Sequence, residues 1–93
     1  MKYNAIVRFL SKNEGGRMNP PMLGYKPHIK IGEEHTSCII TPKDLTIDVM
    51  DFGKDHEVLI EFQYEKDFAE QINNRLNIGL YEGNKLIGHG YIF

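Results

Sequence analysis

One stretch decides most of what this chain can become: residues 11–27, Ser-Lys-Asn-Glu-Gly-Gly-Arg-Met-Asn-Pro-Pro-Met-Leu-Gly-Tyr-Lys-Pro. Gly15-Gly16 takes positive φ at no steric cost, so the chain can reverse sharply there. Pro20 and Pro21 have no amide hydrogen to give a sheet ladder, and Pro27 pushes Lys26 into an extended conformation. The stretch is therefore neither helix nor central strand. An irregular connection of this length in a compact domain is as a rule either functional or disordered. Met18, Met22, Leu23 and Tyr25 give it apolar weight, which predicts a loop packed onto a scaffold. That packing is expected to hold Lys12, Arg17 and Lys26 near one another on a surface.

The scaffold is predicted to be β. Over residues 3–11, Tyr3, Ala5, Val7 and Phe9 alternate with Asn4, Ile6, Arg8 and Leu10, the period-2 pattern of a strand with one apolar face. Residues 28–31 alternate again. Residues 36–41 are β-rich and stop at Pro42, and residues 46–50 form a short fourth segment. Residues 51–55, Asp-Phe-Gly-Lys-Asp, have turn chemistry. Residues 57–64 are the clearest strand, with Val58, Ile60, Phe62 and Tyr64 on one side. Residues 67–74 are expected to form a helical turn, closed by Asn73-Asn74. Residues 76–81 and 86–93 flank Glu82-Gly83-Asn84-Lys85, a hairpin-type loop. Many short strands with Gly/Pro turns and almost no helix point to a barrel or a sandwich. Phe9, Ile60, Phe62, Ile78 and Leu80 are the candidate core.

A chain of 93 residues makes one domain, residues 1–93, large enough to fold alone. With 41% apolar and 26% charged residues it belongs with ordinary globular proteins rather than disordered ones. A formal net charge of −2 excludes the molecule as a whole from electrostatic nucleic-acid binding, so any such contact needs a local patch. The single cysteine, Cys38, cannot form an internal disulfide, nothing at the start reads as a signal peptide, and no apolar run approaches membrane-spanning length. A cytoplasmic protein without membrane partners is expected, encoded as a domain on its own.

Two blocks carry a resemblance. Leu10-Ser-Lys-x-Glu-Gly-Gly-Arg-x-x-Pro20 followed by Gly24-Tyr-Lys-Pro27 resembles the start of the third, C-terminal domain of translation elongation factor Tu. Glu82-Gly-Asn-Lys-Leu-Ile-Gly-His-Gly90 is similar to that family's closing Glu-Gly-Gly-Arg-Thr-Val-Gly-Ala-Gly. The likeness covers nearly all of this chain but only the last part of the full-length factor. It implies a closed antiparallel six-stranded Greek-key barrel standing alone. It also implies a translation-related, non-catalytic binding module, since the family's third domain helps hold aminoacyl-tRNA and contacts the GTPase domain and the exchange factor. The implied partners are tRNA or a translation factor or GTPase. Carried over by motif, the ligand or partner surface comprises Lys12, Arg17, Tyr25 and Lys26 from the first block and Lys85, Gly88 and Gly90 from the second. Lys and Arg on a fixed loop suit a phosphate backbone, and glycines allow close backbone approach.

The sequence also departs from the pattern. Where the family has an arginine soon after the strand that follows Gly-Tyr-Arg-Pro, this chain has Gly32-Glu33-Glu34. The basic residue usual before Glu-Gly-Gly is Tyr81, and the last Gly of that trio is Asn84. Lost cations weaken phosphate affinity and added carboxylates repel it. The alternative is therefore a protein-interaction or regulatory domain that mimics the elongation factor and has lost RNA binding. For Arg17 the competing reading is a turn whose arginine pairs with a local carboxylate, which contributes about 0 to 1 kcal/mol to stability.

Catalysis is not expected. Glu14-Gly-Gly-Arg17 lacks the Gly-Lys-Ser/Thr ending of a phosphate-binding P-loop and no helix follows it. The family's nucleotide site belongs to another domain, so no GTP binding is expected. His28, His35, His56 and His89 have no ligand spacing, and His35-Thr-Ser-Cys38 supplies two of the four ligands structural zinc takes. Asp44, Asp48, Asp51, Asp55 and Glu57 cluster loosely around turns without the calcium-loop order. No cofactor or metal is expected.

Overall fold

The computed structural model describes residues 2–63 and 75–93. The expected helical turn over residues 67–74 and Tyr64, the last residue of the fifth β-patterned run, lie outside them. Six strands follow in order: β1 (Lys2–Phe9), β2 (His28–Ile31), β3 (Glu34–Pro42), β4 (His56–Phe62), β5 (Leu76–Glu82) and β6 (Lys85–Ile92). They close into one antiparallel barrel in the order β1-β4-β3-β2-β5-β6. The strands β2, β3 and β4 follow one another as neighbours, and β1 returns beside β4, which is Greek-key order. The described residues form an all-β barrel, as the patterning predicts.

Alternation along each strand builds the interior. Ala5, Val7 and Phe9 of β1 are buried while Lys2, Asn4 and Arg8 are exposed, because successive side chains of a strand point to opposite faces. Phe9, Ile60, Phe62, Ile78 and Leu80 all lie in the core, with Ile29, Ile31, Ile40 and Ile87. Pro42 ends β3 opposite Val58, the strand-end position where a missing amide hydrogen removes no central ladder bond. Gly32-Glu33 and Gly83-Asn84 turn the β2–β3 and β5–β6 hairpins.

Residues 46–50 are not a barrel strand. They hold to the organising loop instead, through one bridge between Met22 and Val49. The bridge is fastened by Leu23 N–H to the Asp48 carbonyl at 3.0 Å and Met50 N–H to the Pro21 carbonyl at 2.8 Å. Met50 reaches the core while Met22 and Leu23 stay exposed. The short β-like run is extended because the loop pairs with it, not because a sheet does.

The loop is fastened to the scaffold, but not by the apolar residues expected to do it: Met18, Met22 and Leu23 are exposed, and only Tyr25 of the four packs against the core, with Pro21 and Pro27 also buried. Tyr25 bridges Ile40, and the Pro27 carbonyl accepts the Cys38 amide at 3.1 Å. His28 pairs with Ser37 next. The register of β2 on β3 thus runs back unbroken to Tyr25, and the last part of the loop is an extension of β2.

Candidate functional site

The Gly15-Gly16 reversal positions the rest. Ser11 begins a 3-10 turn at Lys12–Glu14, and Gly15 closes it at φ 86°, a conformation open to glycine at little cost. The Glu14 carboxylate accepts the Ser11 backbone N–H at 3.0 Å and the Ser11 hydroxyl at 3.1 Å. These bonds hold its pKa below the ordinary 4.5. Gly16 serves a different need. A Cβ there would sit 1.9 Å from the Leu10 carbonyl oxygen, so the chain folds back against the end of β1 only because that atom is missing. Arg17 N–H then donates to the same Leu10 carbonyl at 3.2 Å.

Folding back delivers Arg17 to the β5–β6 hairpin. Its Nη1 pairs with Glu82 Oε2, its Nε donates to the Asn19 carbonyl at 2.9 Å, and its guanidinium lies 4.7 Å from the centroid of the Tyr25 ring. The Tyr25 hydroxyl donates to the same Glu82 oxygen. The other side of Tyr25 meets Phe9 of the core edge-on, with centroids 6.0 Å apart. Arg17, Tyr25 and Glu82 thus form one junction rooted in the barrel interior.

Electrostatics follow from this geometry. Burial pushes the Tyr25 hydroxyl up and the neighbouring Glu82 charge pushes it further, well above its ordinary 10. For Glu82, burial acts upward, but the hydrogen bonds from Tyr25 and Arg17 outweigh it and hold the carboxyl below its ordinary 4.5. Burial works against the Arg17 charge, and Tyr25 and Glu82 more than restore it. The junction is a neutral phenol and a permanent ion pair near neutral pH.

The remaining motif residues separate. Lys12, Lys26 and Lys85 are exposed, and Lys85 stands opposite Glu82 across the hairpin. Lys26 lines a groove of about 390 Å³ with Ser37, Cys38, Ile39, Glu61, Phe62 and Gln63, none of which is a partner of Arg17. Arg17 is engaged at the hairpin by Glu82, while Lys26 lines the groove beside β3 and β4. Gly88 and Gly90 do allow close approach, but by β1. A Cβ on Gly90 would fall 1.9 Å from the Ile6 carbonyl oxygen, and one on Gly88 2.9 Å from that of Arg8.

The carboxylate that Arg17 finds is not local. Glu82 is 65 residues away in sequence, on the opposite end of the chain, and sequence spacing holds no signal for such a pairing. Both residues lie in the two motif blocks, so the joint presence of those blocks was the available clue.

Chemistry elsewhere is sparse. Cys38 is buried, and burial pushes its thiol up to about 12, which removes the thiolate a nucleophile needs. His35 is exposed while Cys38 is buried, so the two cannot converge on an ion. Among the described residues no group of three or more His, Cys, Asp or Glu is placed to hold a metal. Asp44 accepts the Thr46 amide and hydroxyl at 3.0 and 2.7 Å, Asp51 pairs with Lys54 at 3.5 Å, and Asp55 pairs with Arg8 at 3.0 Å. These are turn and surface interactions. No helix among the described residues is long and apolar enough to cross a membrane.

Compared with models of known protein families the chain matches none, and no curated protein is significantly similar to it.

Proposed function

We propose that this barrel is a translation-related, non-catalytic binding module of the kind that the third domain of elongation factor Tu provides. Its partner surface is the one framed by the first connection and the β5–β6 hairpin, and its partner is tRNA or a translation factor. One observation supports this reading above the others. The two sequence blocks that carry the resemblance meet in space through Arg17, Tyr25 and Glu82, with Lys12 and Lys85 of the same blocks exposed. Gel-shift titration with aminoacyl-tRNA, and with a purified translational GTPase in parallel, tests it. Saturable complex formation with either, weakened by Lys12→Glu or Lys85→Glu, is the expected result. Failure of both partners to bind overturns the reading.

The competing reading, a protein-interaction or regulatory domain without RNA binding, draws on the same junction. Arg17 has its fork engaged by Glu82 and the Asn19 carbonyl, so the cation best suited to a bidentate phosphate contact is already occupied. In the gel shift this reading predicts no complex with tRNA and none with the GTPase, the partner being a protein that recognises the elongation factor itself.

A further inference from the structure

The β2–β3 ladder gathers a second set of residues, of which only Lys26 also belongs to the motif-derived partner surface. Along the extended chain Lys26, His28 and Lys30 fall at every second position, and Pro27, Ile29 and Ile31 between them are buried. Lys26 and His28 are exposed and Lys30 is half-buried, so all three stand on the outer face of the barrel. Their neighbours extend the row sideways. His28 is opposite Ser37 on β3 and Tyr81 on β5, and Lys30 is opposite His35 on β3 and Gly79 on β5. The His35 and Tyr81 rings meet edge-on with centroids 5.6 Å apart. Gly79 carries no side chain, and the Tyr81 ring leans over it, 3.2 Å from where a Cβ would stand.

Charge is sorted on this face. The outward positions of β2, β3 and β5 around the row are His28, Lys30, His35, Ser37, Ile39, Asn77, Gly79 and Tyr81, and none is a carboxylate. Among the described residues the acids at its margins are Glu33 and Glu34 at the β2–β3 turn, Glu61 across the groove beside Lys26, and Glu82, which follows Tyr81 and is paired with Arg17. A chain with net charge −2 therefore presents one strand whose free charges are all positive.

We infer that the outer face of β2, with Lys26 and Lys30 flanked by His28, His35 and Tyr81, binds single-stranded nucleic acid. Cations four residues apart on a rigid strand, about 13 Å, can track a phosphate backbone, and the adjoining rings offer bases a surface to stack on. A duplex is disfavoured because its bases are not available for stacking on an exposed ring. The inference rests neither on the elongation-factor resemblance nor on Arg17.

The experiment is fluorescence anisotropy of a labelled oligouridylate of about sixteen nucleotides titrated with the whole chain. Saturable binding with Kd on the order of 10 µM at low salt is expected. Lys26→Gln and Lys30→Gln should each reduce the salt slope of log K by about 0.7. Tyr81→Ala should weaken binding about tenfold, with Tyr81→Phe retaining it. Lys54→Gln, a charge change outside this face, should leave binding as it was. Unchanged far-UV circular dichroism and melting temperature establish that each variant is folded. Absence of saturable binding overturns the inference. So does equal weakening by Lys54→Gln, or indifference to Tyr81→Ala. Displacement of the oligonucleotide by polyglutamate at equal charge concentration also overturns it, since a surface for any polyanion needs no ring.

Discussion

Removing the Arg17 side chain tests how the long connection is fastened. As a lone surface cation Arg17 would contribute almost nothing, but here, besides its hydrogen bond to the nearby Asn19 carbonyl, it makes two further interactions at once. Its ion pair with Glu82 keeps 26% and 39% of the two side chains in solvent, so screening limits the pair to the upper end of the exposed range, about 1 kcal/mol. Its stacking on Tyr25 at 4.7 Å adds about 0.5–1 kcal/mol. Arg17→Ala should therefore cost about 1.5–2 kcal/mol, which lowers the urea midpoint by roughly 1 M. A double-mutant cycle with Glu82→Ala isolates the pair and should return a coupling of about 0.5–1 kcal/mol. The same cycle has a pH signature. Because the folded Glu82 carboxyl titrates below its ordinary 4.5, its stabilisation is complete above that value and disappears as pH falls through the lower, folded one. Glu82→Gln should flatten that part of the acid limb. Additivity of the two single changes within about 0.3 kcal/mol, or an acid limb unaltered by Glu82→Gln, would show that the junction holds nothing together.

Other expectations are simpler. Ile60→Ala empties a fully buried site and should cost about 2–5 kcal/mol by urea titration. Gly15→Ala and Gly16→Ala should differ sharply: the first incurs only the left-handed conformation, about 1–2 kcal/mol, whereas the second forces a methyl group onto the Leu10 carbonyl and should displace the turn, visible as lost amide protection at Arg17. Cys38, buried and with its thiol raised to about 12, should resist Ellman's reagent at pH 8 until urea unfolds the barrel; fast labelling of native protein would contradict its placement.

How far these features were legible differs by kind. Strands announce themselves through period 2, and Val58, Ile60 and Phe62 are buried where the alternation of residues 57–64 puts them. The segment 46–50 has the same local composition, yet its partner is a loop, and composition does not say what a strand pairs with. Gly15 and Gly16 look identical in sequence but answer to different constraints, one a dihedral angle and one a steric approach. The Arg17–Glu82 pair was hidden for a related reason: it depends on the β5–β6 hairpin standing beside the first connection, a matter of barrel closure. The outer row on β2 was readable in principle, because Lys-x-His-x-Lys alternates, but Tyr81 and His35 join it only through register.

Barrel closure also governs how this chain must fold. Neither neighbour of β1 comes from nearby sequence: Ala5 pairs with Val58 on one side and Ile92 on the other. β1 is thus among the last strands whose edges are both satisfied. Contacts so distant in sequence slow folding, because loop-closure entropy is lost before they reward it. The β2–β3 hairpin can form early through its short turn and β4 joins it across residues 43–55, leaving β1 with an unpaired edge until β6 arrives. An unpaired, half-apolar edge is a template for another chain. Refolding yield should therefore fall with protein concentration well before native stability does, and loss of β6 alone should open the barrel and leave β1 an edge free to associate.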